Sequence, residues 1–95
     1  MRSNTQIISD YLAQIEAFKE IIEQNDYLDP YEYKEDLLDL LALYGWHTSH
    51  NDAELVEEDY KLFIEFDCRN FTYCLSISDN DNKEVKKIKY YMNVI

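Results

Sequence analysis

Carboxylates at helical spacing are the residues of this chain best placed to do chemistry. Glu32, Glu35, Asp36 and Asp39 stand three and four residues apart, and Glu16, Glu20 and Glu23 repeat that spacing upstream. Positions so spaced share one face of a helix. Asp26 and Asp29 lie between the two runs and carry the charge from one to the other. With a rise of ~1.5 Å per residue, neighbouring carboxylates would stand about 6 Å apart along the axis. That is of the same order as the phosphate spacing along a nucleic-acid strand. Two such stripes imitate a phosphate backbone, and the chemistry they offer is electrostatic: fast, salt-sensitive docking into a basic groove. The alternative is a solvated helix face. Solvated faces usually mix signs, because Glu–Lys pairs four residues apart support a helix and like charges oppose it. Here the stripes are nearly all of one sign.

Tyr27, Tyr31 and Tyr33 surround the acidic turn. Tyrosine among acids is good contact chemistry, adding apolar area and a hydroxyl. The helical phase of Tyr33 assigns it to the core, which leaves Tyr27 and Tyr31 as expected contact residues. A further acidic run (Asp52, Glu54, Glu57, Glu58, Asp59) reads equally as a binding element or as a soluble loop.

Other constellations offer less. His47, His50, Asp52 and Glu54 are metal-ligand types, but they sit in one short connection and lack a rigid frame on which ligands converge. Asp79, Asp81 and Glu84 lack the spacing and glycine of a calcium loop and read as a turn. There is no glycine-rich phosphate loop and no nucleophile signature. No catalytic residue, cofactor or metal is expected.

The charge is unevenly distributed. Residues 1–59 hold fifteen Asp/Glu against Arg2, Lys19 and Lys34, whereas residues 60–95 hold five against six Lys/Arg, within a net charge of −11. That asymmetry disfavours nucleic acid and anionic membrane as direct partners and favours a basic protein surface. A halophile would spread its acids and use few lysines, whereas here lysine concentrates at Lys83, Lys86, Lys87 and Lys89. Ninety-five residues, 46% of them apolar, make one domain, 1–95, able to fill a core. No apolar run predicts a signal peptide or membrane span, and Cys68 and Cys74 are expected as free thiols in a reducing, cytoplasmic setting.

The elements that must position these groups are legible from periodicity. Ile8, Tyr11, Ile15, Phe18 and Ile22, widened by Ile7, Leu12 and Ile21, predict a helix over 5–24, opened by a capping box of Ser3 and Gln6. Asp29 as cap, Pro30 at the first helical position and Glu32 predict a second helix over 30–44. Tyr33, Leu37, Leu40, Leu41 and Tyr44 form its buried stripe, Gly45 ends it, and Trp46 folds back onto Leu41. Residues 47–56 read as a polar connection. Alternation then predicts strands over 59–67, 71–78 and 86–94. Turns at Arg69-Asn70 and Asp81-Asn82 pair Phe66 with Tyr73, Leu75 with Ile88 and Phe71 with Met92, apolar against apolar. The expected fold is α+β: two N-terminal helices on one face of a three-stranded antiparallel meander. Phe63, Tyr91 and Ile95 fall on the outer sheet face, where they suggest a second contact or a dimer patch.

In type, the chain resembles small acidic phage-borne inhibitors of bacterial defence, the anti-CRISPR and DNA-mimic proteins. The shared features are one-domain length, acidic balance and the stripes Glu16/Glu20/Glu23 and Glu32/Glu35/Asp36/Asp39. The resemblance implies a non-enzymatic inhibitor, monomeric or dimeric, bound to a nuclease in a bacterial host. Immunity proteins of nuclease toxins look similar on the same electrostatic grounds. A dimeric adaptor is the reading of a different class.

Overall fold

The computed structural model of the protein describes residues 3–94. Helix α1 spans Asn4–Ile22 and α2 spans Pro30–Leu43. Five strands follow: β1 (His47–Thr48), β2 (Asp52–Val56), β3 (Tyr60–Asp67), β4 (Thr72–Asp79) and β5 (Glu84–Tyr91), with a 3₁₀ turn at Cys68–Asn70. They form one antiparallel sheet in the order β1-β2-β3-β4-β5. Ile95, expected on the outer sheet face, lies outside the described residues.

The sheet is larger than the expected three strands. Residues 47–56, expected as a connection, form β1 and β2. Ala53 is the reason: it is fully buried opposite Ile64, with Leu55 opposite Leu62, so two apolar positions suffice to dock an otherwise acidic strand. The register of β3, β4 and β5 is the expected one, with Phe66 opposite Tyr73, Ile64 opposite Leu75 and Leu75 opposite Ile88. A bulge at Val85 shifts the start of β5, since Ile77 faces Lys86 while Ser78 faces Glu84.

Helix ends follow their local chemistry. Ser3 Oγ accepts from Gln6 N, but the Gln6 side chain donates to Asp10 instead of completing the capping box. Asp29 Oδ1 accepts from Tyr31 N at 2.9 Å and opens α2. At the far end Trp46 N donates to Leu41 O and Gly45 N to Ala42 O, the paired bonds of a Schellman ending. Gly45 has φ +93°, and an added Cβ would meet nothing within 4 Å. The cost of Gly45→Ala is therefore the left-handed backbone alone. A denaturant melt is expected to show a loss of about 1–2 kcal/mol.

The buried residues form one contiguous cluster. It joins Ile15, Phe18 and Ile22 of α1, Tyr33, Leu37, Leu38 and Leu41 of α2, and the inner faces of β2 to β5. Leu38 is buried, whereas Tyr44, expected in the α2 stripe, is exposed beyond the last turn; Ile21, within the last turn of α1, is exposed as well. Phe71 also departs from expectation. Its backbone is left-handed at φ 56°, so it leaves the alternation of β4 and its ring is exposed, although its carbonyl still accepts from Met92 N.

Candidate functional site: an acidic helical face

Glu32, Glu35, Asp36 and Asp39 are all exposed, on the side of α2 opposite Tyr33, Leu37 and Leu41. Among the described residues no ion pair reaches any of the four. The sequence of α2 explains why. Its one lysine, Lys34, has Pro30, Tyr31, Leu37 and Leu38 at three and four residues' distance, so no acid shares its face. Lys34 is buried, with Nζ 5.5 Å from the centre of the Tyr31 ring. The helix thus carries its positive charge inward and its negative charges outward.

On α1, Glu16 and Glu20 are exposed, while Glu23 is partly buried and already engaged. It forms an ion pair with Lys19 and accepts from the Tyr33 hydroxyl at 2.7 Å. Tyr27, expected as an exposed contact, is a core residue: only 4% of its surface is accessible. Its ring lies tilted against that of Tyr33, with centres 5.3 Å apart, and its hydroxyl donates to Asp36 Oδ2 at 2.7 Å. Tyr27 therefore steadies an acid from beneath and does not present itself to a partner. Tyr31 is exposed as expected. Asp26 and Asp29 are exposed in the turn.

The tyrosines form a row through the core. Tyr27, Tyr33, Tyr73 and Tyr90 have successive ring separations of 5.3, 6.0 and 5.3 Å. Because a carboxylate only accepts, Tyr33 spends its proton on Glu23, and Tyr73 must donate to Tyr33 across their 3.2 Å contact. Glu16 lies close enough to Tyr73 and Tyr90 to disfavour their ionised forms. Glu35 and Asp39, by contrast, line a hollow with Thr48, Ser49 and His50. The two stripes thus converge on the turn and diverge toward opposite edges of the sheet, Glu16 toward β5 and Asp39 toward β1.

Burial raises the pKa of all four tyrosines, and for Tyr27 and Tyr90 it reaches about 12. For Tyr27 the Asp36 carboxylate adds to the burial effect. The unfolded chain gives up these protons near the ordinary value of about 10, before the folded protein does. Their contribution to stability is therefore complete below about pH 10 and is lost as pH rises toward 12. Urea midpoints measured across that range, alongside tyrosinate absorbance, should fall steeply. A flat profile would contradict the buried hydroxyls.

The apolar neighbours of the acidic turn were not legible as such. Leu28 is 74% exposed, Tyr31 55% and Phe71 46%. They share one end of the molecule: Cys68 Sγ donates to Pro30 O, Met92 N donates to Phe71 O, and Tyr27 bridges to Val94. An apolar tip is thus bracketed by Asp26, Asp29 and Glu32.

The other candidates separate in space or close on themselves. His47 lies opposite Glu54 in the β1–β2 ladder, whereas His50 lines the hollow beside Asp39. Asp79 Oδ1 accepts from Asp81 N and Lys83 N, which makes that acid a turn former. Among the described residues no group of three or more His, Cys, Asp or Glu is placed to hold a metal ion. Cys68 and Cys74 are free thiols; Cys68 is buried and Cys74 faces Glu65 and Lys89. Among the described residues no helix is long and apolar enough to cross a membrane. Compared with protein-family models, curated proteins and solved structures, the chain has no significant match.

Proposed function

We propose that this protein is a non-enzymatic inhibitor whose acidic helical face occupies the basic, nucleic-acid-binding groove of a nuclease, in the manner of an anti-CRISPR protein acting as a DNA mimic inside a bacterial cell. The observation that carries the reading is the one-signed face of α2, where Glu32, Glu35, Asp36 and Asp39 are exposed, without an ion pair among the described residues, and the helix's only lysine is buried behind them. An acidic surface left unneutralised within the molecule is complementary to a basic one outside it. The stripe of α1 adds exposed Glu16 and Glu20 and meets that of α2 at the turn of Asp26 and Asp29. Leu28 and Tyr31 at the tip supply apolar area of the kind that anchors an interface.

The test is competition. The protein is titrated against a candidate nuclease, a CRISPR effector first, in the presence of labelled target DNA and at rising salt. Inhibition should be competitive with DNA, and affinity should fall steeply with ionic strength. An inhibited complex that still holds its DNA, or an affinity indifferent to salt, would refute the reading.

A further inference from the structure

The two edges of the sheet are unequal. At one edge β1 has two residues; at the other β5 has eight and, among the described residues, pairs with β4 alone. The hydrogen-bonding phase of β5 is fixed by its neighbours. Met92 N donates to Phe71 O, so Tyr90, Ile88 and Lys86 also direct their backbone groups toward β4. The N–H and C=O groups of Lys87, Lys89 and Tyr91 then point away from the sheet, along its free edge.

At the start of that edge lies a groove of about 290 Å³, lined by Thr5, Ile8, Ser9 and Leu12 of α1 and by Val85 and Lys86 of β5. The outer face of β5 carries Lys87, Lys89 and Tyr91, all exposed. A strand added here would meet three demands at once. Its backbone must complete the ladder, its inward side chains must be apolar to lie in the α1–β5 groove, and its outward side chains face lysine.

We infer that the β5 edge is a docking site for an extended acidic segment of another protein, in which apolar and acidic residues alternate. Charge complementarity favours this occupant, because the exposed outward side chains of the edge include Lys87 and Lys89, and a second copy is disfavoured in the register centred on Ile88. Antiparallel pairing of two β5 strands about Ile88 sets Lys87 against Lys89 twice, like charge opposite like charge. The exposed lysines of β5 are opposite in sign to the acidic face of α2, which lies toward the other edge, while Glu16 of α1 lies near the Tyr90 end of β5.

The probe is a capped octapeptide of alternating valine and glutamate, compared with one of valine and lysine, each added to the full-length, isotope-labelled protein. The glutamate peptide should shift the amide signals of Lys87, Lys89 and Tyr91 and bind at least about tenfold more tightly than the lysine peptide. In Lys89→Pro the missing N–H faced the free edge and not β4, so the fold persists while peptide affinity falls about tenfold or more. If that variant fails to fold, Lys87→Glu with Lys89→Glu decides, and its preference should invert to the lysine peptide. Equal binding of both peptides, shifts confined to other residues, a dimer of the chain through β5, or an uninverted preference would each overturn the inference. Loss of nuclease inhibition bears only on the acidic face, so the two readings fail separately.

Discussion

Replacing Glu32, Glu35 and Asp39 together by lysine is expected to abolish inhibition of the target nuclease, with a loss of affinity of at least about a hundredfold. Close charge pairs across an interface couple by on the order of 1.5 kcal/mol or more each, and reversal adds repulsion to the loss. The fold should survive, because all three side chains are exposed and none has an ion-pair partner among the described residues. Asp36 is left in place because it accepts from Tyr27. Glu32 lies in the first turn of α2, where a negative charge suits the helix dipole, so a small drop in helix stability is expected from that position alone. Calorimetric titration reads the affinity and circular dichroism the fold. A folded triple variant that still inhibits would remove the acidic face from the function.

The second large effect is on stability. Tyr73 is 1% exposed in a central strand, with its ring against Phe66, Tyr33 and Tyr90. Tyr73→Ala is expected to cost about 3–5 kcal/mol, the range for truncating a buried aromatic side chain. A domain of this size has only ~5–15 kcal/mol in all. Tyr73→Phe keeps the ring and removes one donor. Tyr33 still donates to Glu23, so only an acceptor lone pair on Tyr33 is left unfilled, and the cost should be near 1 kcal/mol. Urea unfolding of the two variants separates ring from hydroxyl. Equal losses would mean that the hydroxyl chain, not the packing, holds this part of the core.

What the sequence disclosed and what it hid both have physical reasons. The register of β3 to β5 was readable because their inner positions are large and apolar at strict period two. The ends of α2 were readable because Asp29, Pro30 and Gly45 each have a conformational preference that little else explains. β1 and β2 were hidden because Asp52, Glu54 and Val56 alternate with only Ala53 and Leu55, a weak signal in a segment of acids. Tyr27 was misplaced because it stands outside both helices, where periodicity says nothing; its burial depends on the row of core tyrosines begun by Tyr33 and on Val94, which is remote in sequence. Phe71 was misplaced because its left-handed backbone follows the 3₁₀ turn, and a bulky aromatic seldom adopts it. The exposure of Glu32, Glu35, Asp36 and Asp39 was legible, since exposure opposite a buried face follows from phase alone. That Glu23 is already engaged was not legible, because its partner Tyr33 is brought to it by the helix pairing.

The sequential order of the strands has a kinetic meaning. Each strand lies beside the one made just before it, so every pairing closes a short loop. The sheet can grow by successive hairpins, without the long closures that slow Greek-key folds. Docking of the helices is different: it joins Tyr11 to Tyr60 and Tyr33 to Tyr73, pairs far apart along the chain. On a refolding molecule the sheet therefore has the entropic head start over helix docking, and the helices are fixed late. The carboxylates of α2 share a face as soon as the helix forms, but that face takes its place on the molecule only at this last step.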